Sequence, residues 1–396
     1  MKKSNRWLIL SGVWLLYVAF GVSATSLAPL VAVIESDLDI QHSAMGVILG
    51  AWQFVFILAA LPSGILLDRF GSRNVLAIGG LLISVSLLGR SIVDNYLQLL
   101  LFVSVFGLGG PIISTGAPKV VAEWFDRSER GIAMGIYITG PGIGAIISLT
   151  MTNSVLMPWL DGDWQLVLRF WGWFALASAL IWILIARSTK DEQKKEVNFS
   201  NNKGVTSALL QIPSVRIVLI MGIGVLFITH GLSNWLPELL RFNGLPIDEA
   251  GVWAAIPVAV SIISALIIPR LAIPKRRIKI LLVLFLCTCL ATIFLRNEIG
   301  IPLTIGLLLD GLGRSTMMTV LILTLVEIKG VGENRAGTAS GLFFTAAEIG
   351  GVAGPITLGI FYDFTGMFSM SLNILMSVAL LLIVLLGVLK KHEKLP

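Results

Sequence analysis

With 396 residues, 56% of them hydrophobic and only 13% charged, the chain has a mean hydropathy of +0.90, which excludes a water-soluble enzyme. The net charge is +6, and the longest polar stretch, Arg187 to Asn202, is far too short for a catalytic domain. A polytopic membrane protein remains.

A helix crossing ~30 Å of hydrocarbon needs about 20 predominantly apolar residues. Twelve segments meet that requirement, in chain order 7–34, 42–67, 74–93, 96–125, 129–157, 164–187, 214–241, 248–271, 276–295, 300–329, 333–361 and 366–390. The first follows Met1-Lys2-Lys3 like a secretory signal, but its run to Ile34 is far longer than the usual ~7–15-residue signal core. It reads as an uncleaved first helix. The polar residues 188–213 divide six helices from six. The expected organisation is an N-terminal six-helix bundle (1–187), a cytoplasmic linker (188–213) and a C-terminal six-helix bundle (214–396). The fold class is therefore an all-α polytopic membrane protein with two pseudo-symmetric bundles.

Charge sets the orientation. With the N-terminus inside, 23 of the 29 lysines and arginines fall in the termini and the inner loops, and the first outer loop carries Glu35, Asp37 and Asp39 with no base. Both termini are expected to be cytoplasmic, in the cytoplasmic (inner) membrane. The run Lys275-Arg276-Arg277 obeys the same rule and does not point to nucleic acid. Cys287 and Cys289 lie two apart on one helix and cannot pair. No cofactor, metal site or nucleotide-binding loop is expected.

The halves echo each other. Gly107-Leu-Gly109 matches Gly311-Leu-Gly313 and Glu123 matches Glu327, at an offset of 204 residues. Ala133-x-Gly135 matches Ala339-x-Gly341, Thr139 matches Thr345 and Gly144 matches Gly350, at an offset of 206. Two such bundles imply a site near the bilayer midplane, opened to alternate sides as the bundles rock.

Between the second and third segments the chain reads Gly64-Ile-Leu-Leu-Asp68-Arg69-Phe-Gly71-Ser-Arg73. Gly71 suits a tight turn at positive φ, and Gly64 suits close approach of a second helix. The pattern G-x-x-x-D-R-x-G-x-R resembles the loop 2–3 signature of the major facilitator superfamily. Ala122-Glu123-Trp124-Phe125 with Ser128-Glu129-Arg130-Gly131 is similar to that family's loop 4–5 pattern. The resemblance implies a cytoplasmic gate of Gly64, Asp68, Arg69, Gly71, Arg73, Glu123, Arg130 and Arg335. In it Asp68 faces the helix start at Asn334-Arg335, Arg73 meets Glu123, and Arg130 joins the network. The second half reads Pro269-Arg270-Leu-Ala-Ile-Pro274-Lys275-Arg276-Arg277 at the equivalent loop. It keeps the positive charges and loses the acid. Within the family, the run from Gly313-Arg314-Ser315 to Gly359-Ile-Phe-Tyr-Asp363-Phe-Thr-Gly366 looks similar to the cyanate- and nitrate-porter-like branch.

Ionisable side chains deep in membrane helices are functional candidates, because leaving one in lipid costs ~2.5 kcal/mol or more. Asp310 and Arg314 are spaced i, i+4 and share a helix face. Arg314 offers a planar fork for an oxyanion, held ready by Asp310 or Glu348; the alternative is a permanent structural bridge. Glu348 is either a proton-coupling carboxyl or a structural acid. His230, Asn234 and Glu238 form a polar stripe on helix 7, while Thr115, Lys119 and Glu123 form one on helix 4 in which Lys119 either attracts an anion or, the favoured reading, snorkels. Tyr17, Trp52, Gln53, Tyr137, Thr139 and Asn373 are candidate walls of the cavity.

The sequence thus points to a monomeric secondary active transporter, with no enzymatic activity, that moves a small organic or inorganic anion by rocker-switch alternating access. Proton coupling stays open, and the alternative is a proton-driven exporter of lipophilic or cationic compounds. No Gly-x-Ser-x-Gly elbow or His-x-x-x-His pair lies at bilayer depth, which speaks against a membrane-embedded hydrolase.

Overall fold

A computed structural model describes residues 5–126, 128–186, 202–314 and 316–393, without the side chains of 202, 203, 332–334 and 393. Most of the expected linker, residues 188–201, lies outside the described residues. Among the described residues, twelve helices are long and apolar enough to cross a membrane. They are α1 (Arg6–Leu38), α2 (His42–Phe70), α3 (Ser72–Arg90), α4 (Tyr96–Trp124), α5 (Arg130–Trp159) and α6 (Trp164–Ile185) in the first half. The second half holds α7 (Pro213–Phe242), α8 (Ile247–Leu271), α9 (Pro274–Phe294), α10 (Ile301–Val326), α11 (Arg335–Thr365) and α12 (Phe368–His392). Each of the twelve apolar segments becomes one of them, and a short helix, Asn202–Leu210, precedes α7.

The helix ends follow local chemistry. Asp163 starts α6 by accepting from the backbone N–H groups of Gln165 and Leu166, and Asn95 starts α4 by accepting from Gln98. Gly71, at φ +80°, turns the chain sharply between α2 and α3. The long first helix is not continuous. Regular helix stops at Thr25, a tight turn covers Ala28–Leu30 with Pro29 inside it, and helix resumes at Val31. Proline's missing N–H and fixed φ account for the break.

The chain divides into two units, one of Met1–Ile40, Val47–Val197 and Ile247–Ala255, the other of Gln41–Gly46, Asn198–Pro246 and Ile256–Pro396. Within the first, α3 packs on α4 and α6, and α1 packs on α5 and α6. Within the second, α9 packs on α10 and α12, and α7 packs on α11 and α12. The pairings α1–α5 and α7–α11 correspond, as do α3–α4 and α9–α10. The internal repeat read from the sequence is therefore a repeat of packing.

Two matched glycines show how that packing is achieved. A Cβ at Gly144 of α5 would overlap the carbonyl oxygen of Val18 on α1. A Cβ at Gly350 of α11 would overlap the carbonyl oxygen of Ile223 on α7. In both halves the helix backbones touch where only hydrogen fits, the geometry that small residues permit between membrane helices. Large apolar side chains such as Leu61 and Phe54 stay exposed on the helices, and their backbone polar groups are bonded within the helices, as a lipid environment requires.

Candidate functional site

The second unit carries the strongest concentration of buried charge. Asp310 and Arg314 lie one turn apart on α10 with side chains 6% and 9% exposed. Arg314 donates from both Nε and Nη2 to Asp310 Oδ2, at 3.1 and 2.6 Å, and from Nη1 to Ser233 Oγ on α7 at 2.8 Å. Burying either charge alone is costly; paired and hydrogen-bonded, the two tolerate a low dielectric. Of the two acids proposed to hold Arg314, Asp310 does so. Glu348 is buried on α11, pairs with no described base, and its Oε2 has no hydrogen-bond partner among the described residues.

Sequence reasoning missed Ser233. It stands three residues after His230, so both lie on the face of α7 that meets Arg314. The rest of the expected α7 stripe is satisfied locally. Asn234 Nδ2 donates to the His230 carbonyl at 2.8 Å, and Glu238 accepts from Arg241 Nε and Nη2 at 2.9 and 2.5 Å. Trp235 Nε1 donates to the Pro355 carbonyl at 2.9 Å, fastening α7 to α11.

The first unit groups the other candidates around an aromatic cluster. Tyr17 and Tyr137 meet edge to face at 5.3 Å, and the Tyr17 hydroxyl donates to the Ser114 carbonyl at 3.2 Å. Thr139 Oγ1 accepts from Trp14 Nε1 at 3.1 Å and donates to the Ile136 carbonyl at 2.7 Å. Phe20, Trp52 and Phe106 continue the cluster with centroids 5.0–6.2 Å apart, and Gln53 is fully buried beside Trp52 in the chain. The structure thus brings Tyr17, Tyr137 and Thr139 together in one unit, and Arg314, Asp310 and His230 in the other.

The loop residues form different pairs from those the family resemblance implies. Arg73 does not meet Glu123. Glu123 instead accepts from Ser72 Oγ at 2.7 Å, while the Arg73 carbonyl accepts from Trp182 Nε1 at 2.9 Å. The physical reason is rotation: α3 begins at Ser72, and the next residue lies about 100° further round the helix. Arg130 does not join an acid network either. Its Nε and Nη2 donate to the carbonyls of Phe125 and Ala122 at 2.9 and 2.7 Å, closing the C-terminal end of α4. The close approach expected at Gly64 is not made, since a Cβ there would meet nothing within 4 Å. Arg69 lies over the ring of Phe70 at 5.3 Å, and Arg335 donates to the Gly330 carbonyl at 3.1 Å.

Asp68 accepts from Lys119 Nζ at 2.7 Å, and Lys119 also donates to the Leu67 carbonyl at 2.8 Å. Lys119 therefore does more than snorkel: it ties α4 to the C-terminal end of α2. Arg6 and Glu129 add an ion pair that the sequence did not suggest.

The pair expected of Arg73 and Glu123 forms in the other half. Arg277 and Glu327, each 204 residues further on, are joined by Nη1–Oε2 and Nη2–Oε1 bonds of 2.7 and 2.9 Å. Arg277 is nearly buried and also donates to the carbonyls of Ala272 and Leu323. Arg277→Ala is therefore expected to lower stability by about 1–3 kcal/mol, against about 0.5 kcal/mol or less for Arg73→Ala. Thermal unfolding of the purified variants checks this contrast.

A family model described as the Major Facilitator Superfamily matches residues 13–355, most of the chain. The chain belongs to the Major Facilitator Superfamily. It is 22% identical over 386 residues to the uncharacterized transporter YycB of Bacillus subtilis (strain 168), covering 95% of this chain and 92% of that protein. It is 25% identical over 424 residues to the probable galactarate/D-glucarate transporter GudP of the same organism, covering 93% and 88%. A bacterial homolog of the human lysosomal transporter Spinster superposes with a TM-score of 0.78 over 99% of this chain and 98% of that one. Its 16% identity speaks for the fold alone. This member of the superfamily is a multi-pass membrane transporter, not an enzyme. The narrower likeness to the cyanate- and nitrate-porter-like branch gains no support from these relatives.

Proposed function

We propose that this transporter carries a small organic anion of the sugar-acid type across the cytoplasmic membrane by rocker-switch alternating access, with both termini inside and the monomer as the working unit. One observation carries the reading: a buried guanidinium whose carboxylate partner, Asp310, sits on its own helix. An incoming carboxylate exchanges for Asp310 on the Nε and Nη2 donors, while Ser233 keeps Nη1 oriented. The exchange keeps the guanidinium paired, and Asp310, displaced from it, takes up a proton, so that no buried ion is left alone. The sugar-acid name of the relative GudP supports the same substrate class. Glu348, a buried acid with an unpartnered oxygen, is the group assigned to a coupled proton. Asp68, Lys119, Arg69, Arg73, Glu123, Arg130 and Arg335 are assigned to the cytoplasmic gate.

A second reading rests on the aromatic cluster of Tyr17, Phe20, Trp52 and Phe106, which would suit a lipophilic cation. Ligand-dependent thermal unfolding separates the two. D-glucarate and galactarate are expected to raise the midpoint in wild type and to act with at least about tenfold weaker apparent affinity in Arg314→Gln, with inorganic oxyanions weaker. Stabilisation by organic cations alone, unchanged in Arg314→Gln, would favour the exporter reading.

A further inference from the structure

Among the described residues, the buried arginines have carboxylate partners, with one exception. Arg277 binds Glu327 and Arg314 binds Asp310. Arg90, at the outer end of α3, is only 1% exposed and has no acid within 4 Å among the described residues. Its Nη1 donates to the Ser23 carbonyl and to Ser26 Oγ, at 3.2 and 3.1 Å. Its Nε and Nη2 are buried and have no acceptor, and neither has Ser23 Oγ.

Two features offset part of the cost. The guanidinium lies 5.8 Å from the Phe106 ring, and it sits against the C-terminal end of the first segment of α1, where a cation is favoured. Neither supplies an acceptor to Nε or Nη2. Those two nitrogens carry parallel N–H bonds along one edge of the fork, the edge that receives both oxygens of a carboxylate. Arg314 uses the same edge for Asp310. A buried polar group without its hydrogen bond is costly, and a buried charge without its counter-ion more so.

We propose that the Nε–Nη2 edge of Arg90, with Ser23 Oγ, is an anion subsite for a carboxylate, separate from Arg314. The break in α1 lies against this guanidinium: Ser26 donates to the Ser23 carbonyl at 3.0 Å and closes the turn leading to Pro29. Movement at that break opens the edge to an entering carboxylate. The carboxylate comes either from the transported acid or from a small free acid in the medium, and the two sources share one chemistry. The subsite does not rest on the Arg314 reading.

The test uses the full chain purified in detergent, at fixed ionic strength, with acetate and D-glucarate as probes and the unfolding midpoint as the readout. Acetate is expected to raise the midpoint of wild type and of Arg314→Gln, saturably, with at least about tenfold weaker apparent affinity in Arg90→Gln. Arg90→Lys keeps the charge and loses the paired edge, and it is expected to resemble Arg90→Gln. Ser23→Ala keeps Arg90 and the fold, and it is expected to weaken acetate several-fold; it keeps the test decisive where Arg90→Gln does not fold. D-glucarate that competes with acetate in Arg314→Gln identifies the transported acid as the source, and acetate binding without competition identifies a small free carboxylate. A wild type that acetate leaves unchanged, or equal acetate affinity in wild type, Arg90→Gln and Ser23→Ala, overturns the proposal and leaves Arg90 as a clamp on the α1 break.

Discussion

Arg314→Gln is expected to abolish D-glucarate binding at the α10 site and also to destabilise the C-terminal bundle by about 3–5 kcal/mol, because it leaves Asp310 buried without its counter-charge. The two effects separate in a second variant. Asp310→Asn combined with Arg314→Gln removes both charges and retains hydrogen-bonding amides of similar size. Its stability is expected to recover to within about 1–2 kcal/mol of wild type, since replacing both members of a buried pair is often neutral. D-glucarate binding at that site is not expected to recover. Arg314→Lys keeps the charge but not the fork, so it should stay folded and bind weakly. If the double variant were as unstable as the single one, the pair would not be the unit that the geometry describes. Binding that survived the double variant would place the substrate elsewhere.

A comparably large effect is expected at two glycines. A Cβ at Gly144 or Gly350 meets backbone atoms of the neighbouring helix, and a backbone cannot turn aside as a flexible side chain can. Gly144→Ala and Gly350→Ala are each expected to cost about 3 kcal/mol or more and to reduce the amount of folded protein recovered from membranes. The controls are glycines of the same repeat. At Gly135 and Gly341 a Cβ meets nothing within 4 Å, so alanine there is expected to be neutral or to stabilise by about 0.5–1 kcal/mol, the ordinary gain within a helix. Thermal unfolding of the four variants reads the contrast. Similar losses at all four positions would mean that the glycines serve flexibility rather than close approach.

Much of the architecture is legible in the sequence because bilayer thickness and backbone hydrogen bonding leave few choices. Twelve apolar runs of sufficient length become twelve helices, and matched glycines mark matched packing. The family resemblance also implied an Arg–Glu pair between a helix start and the end of its neighbour, at Arg73 and Glu123 in the first half. Arg277 and Glu327 form it, whereas Arg73 and Glu123 do not. Spacing along the chain fixes the offset of 204 residues but not how each helix is rotated, and rotation chooses Ser72 as the partner of Glu123.

The buried pair on α10 was readable because i, i+4 is a property of one helix. Ser233 was not, since its part depends on how α7 meets α10. Lys119 misled for a related reason. A lysine near a helix end ordinarily reaches for the interface, and only the packing of α2 beside α4 turns it toward Asp68 and the Leu67 carbonyl. Arg90 looked like one of a few outward-side bases. Its burial without a counter-ion appears only when α1, α3 and α4 are assembled around it.

The central claim is that a carboxylate takes the place of Asp310 on Arg314 during transport. Uptake of labelled D-glucarate into liposomes containing the purified protein tests it most directly, with wild type compared against Arg314→Lys and the Asp310→Asn, Arg314→Gln double variant. The account predicts saturable uptake by wild type, inhibited by galactarate, at least about a hundredfold slower in the double variant and intermediate in Arg314→Lys. Uptake by the folded double variant at the wild-type rate would contradict it.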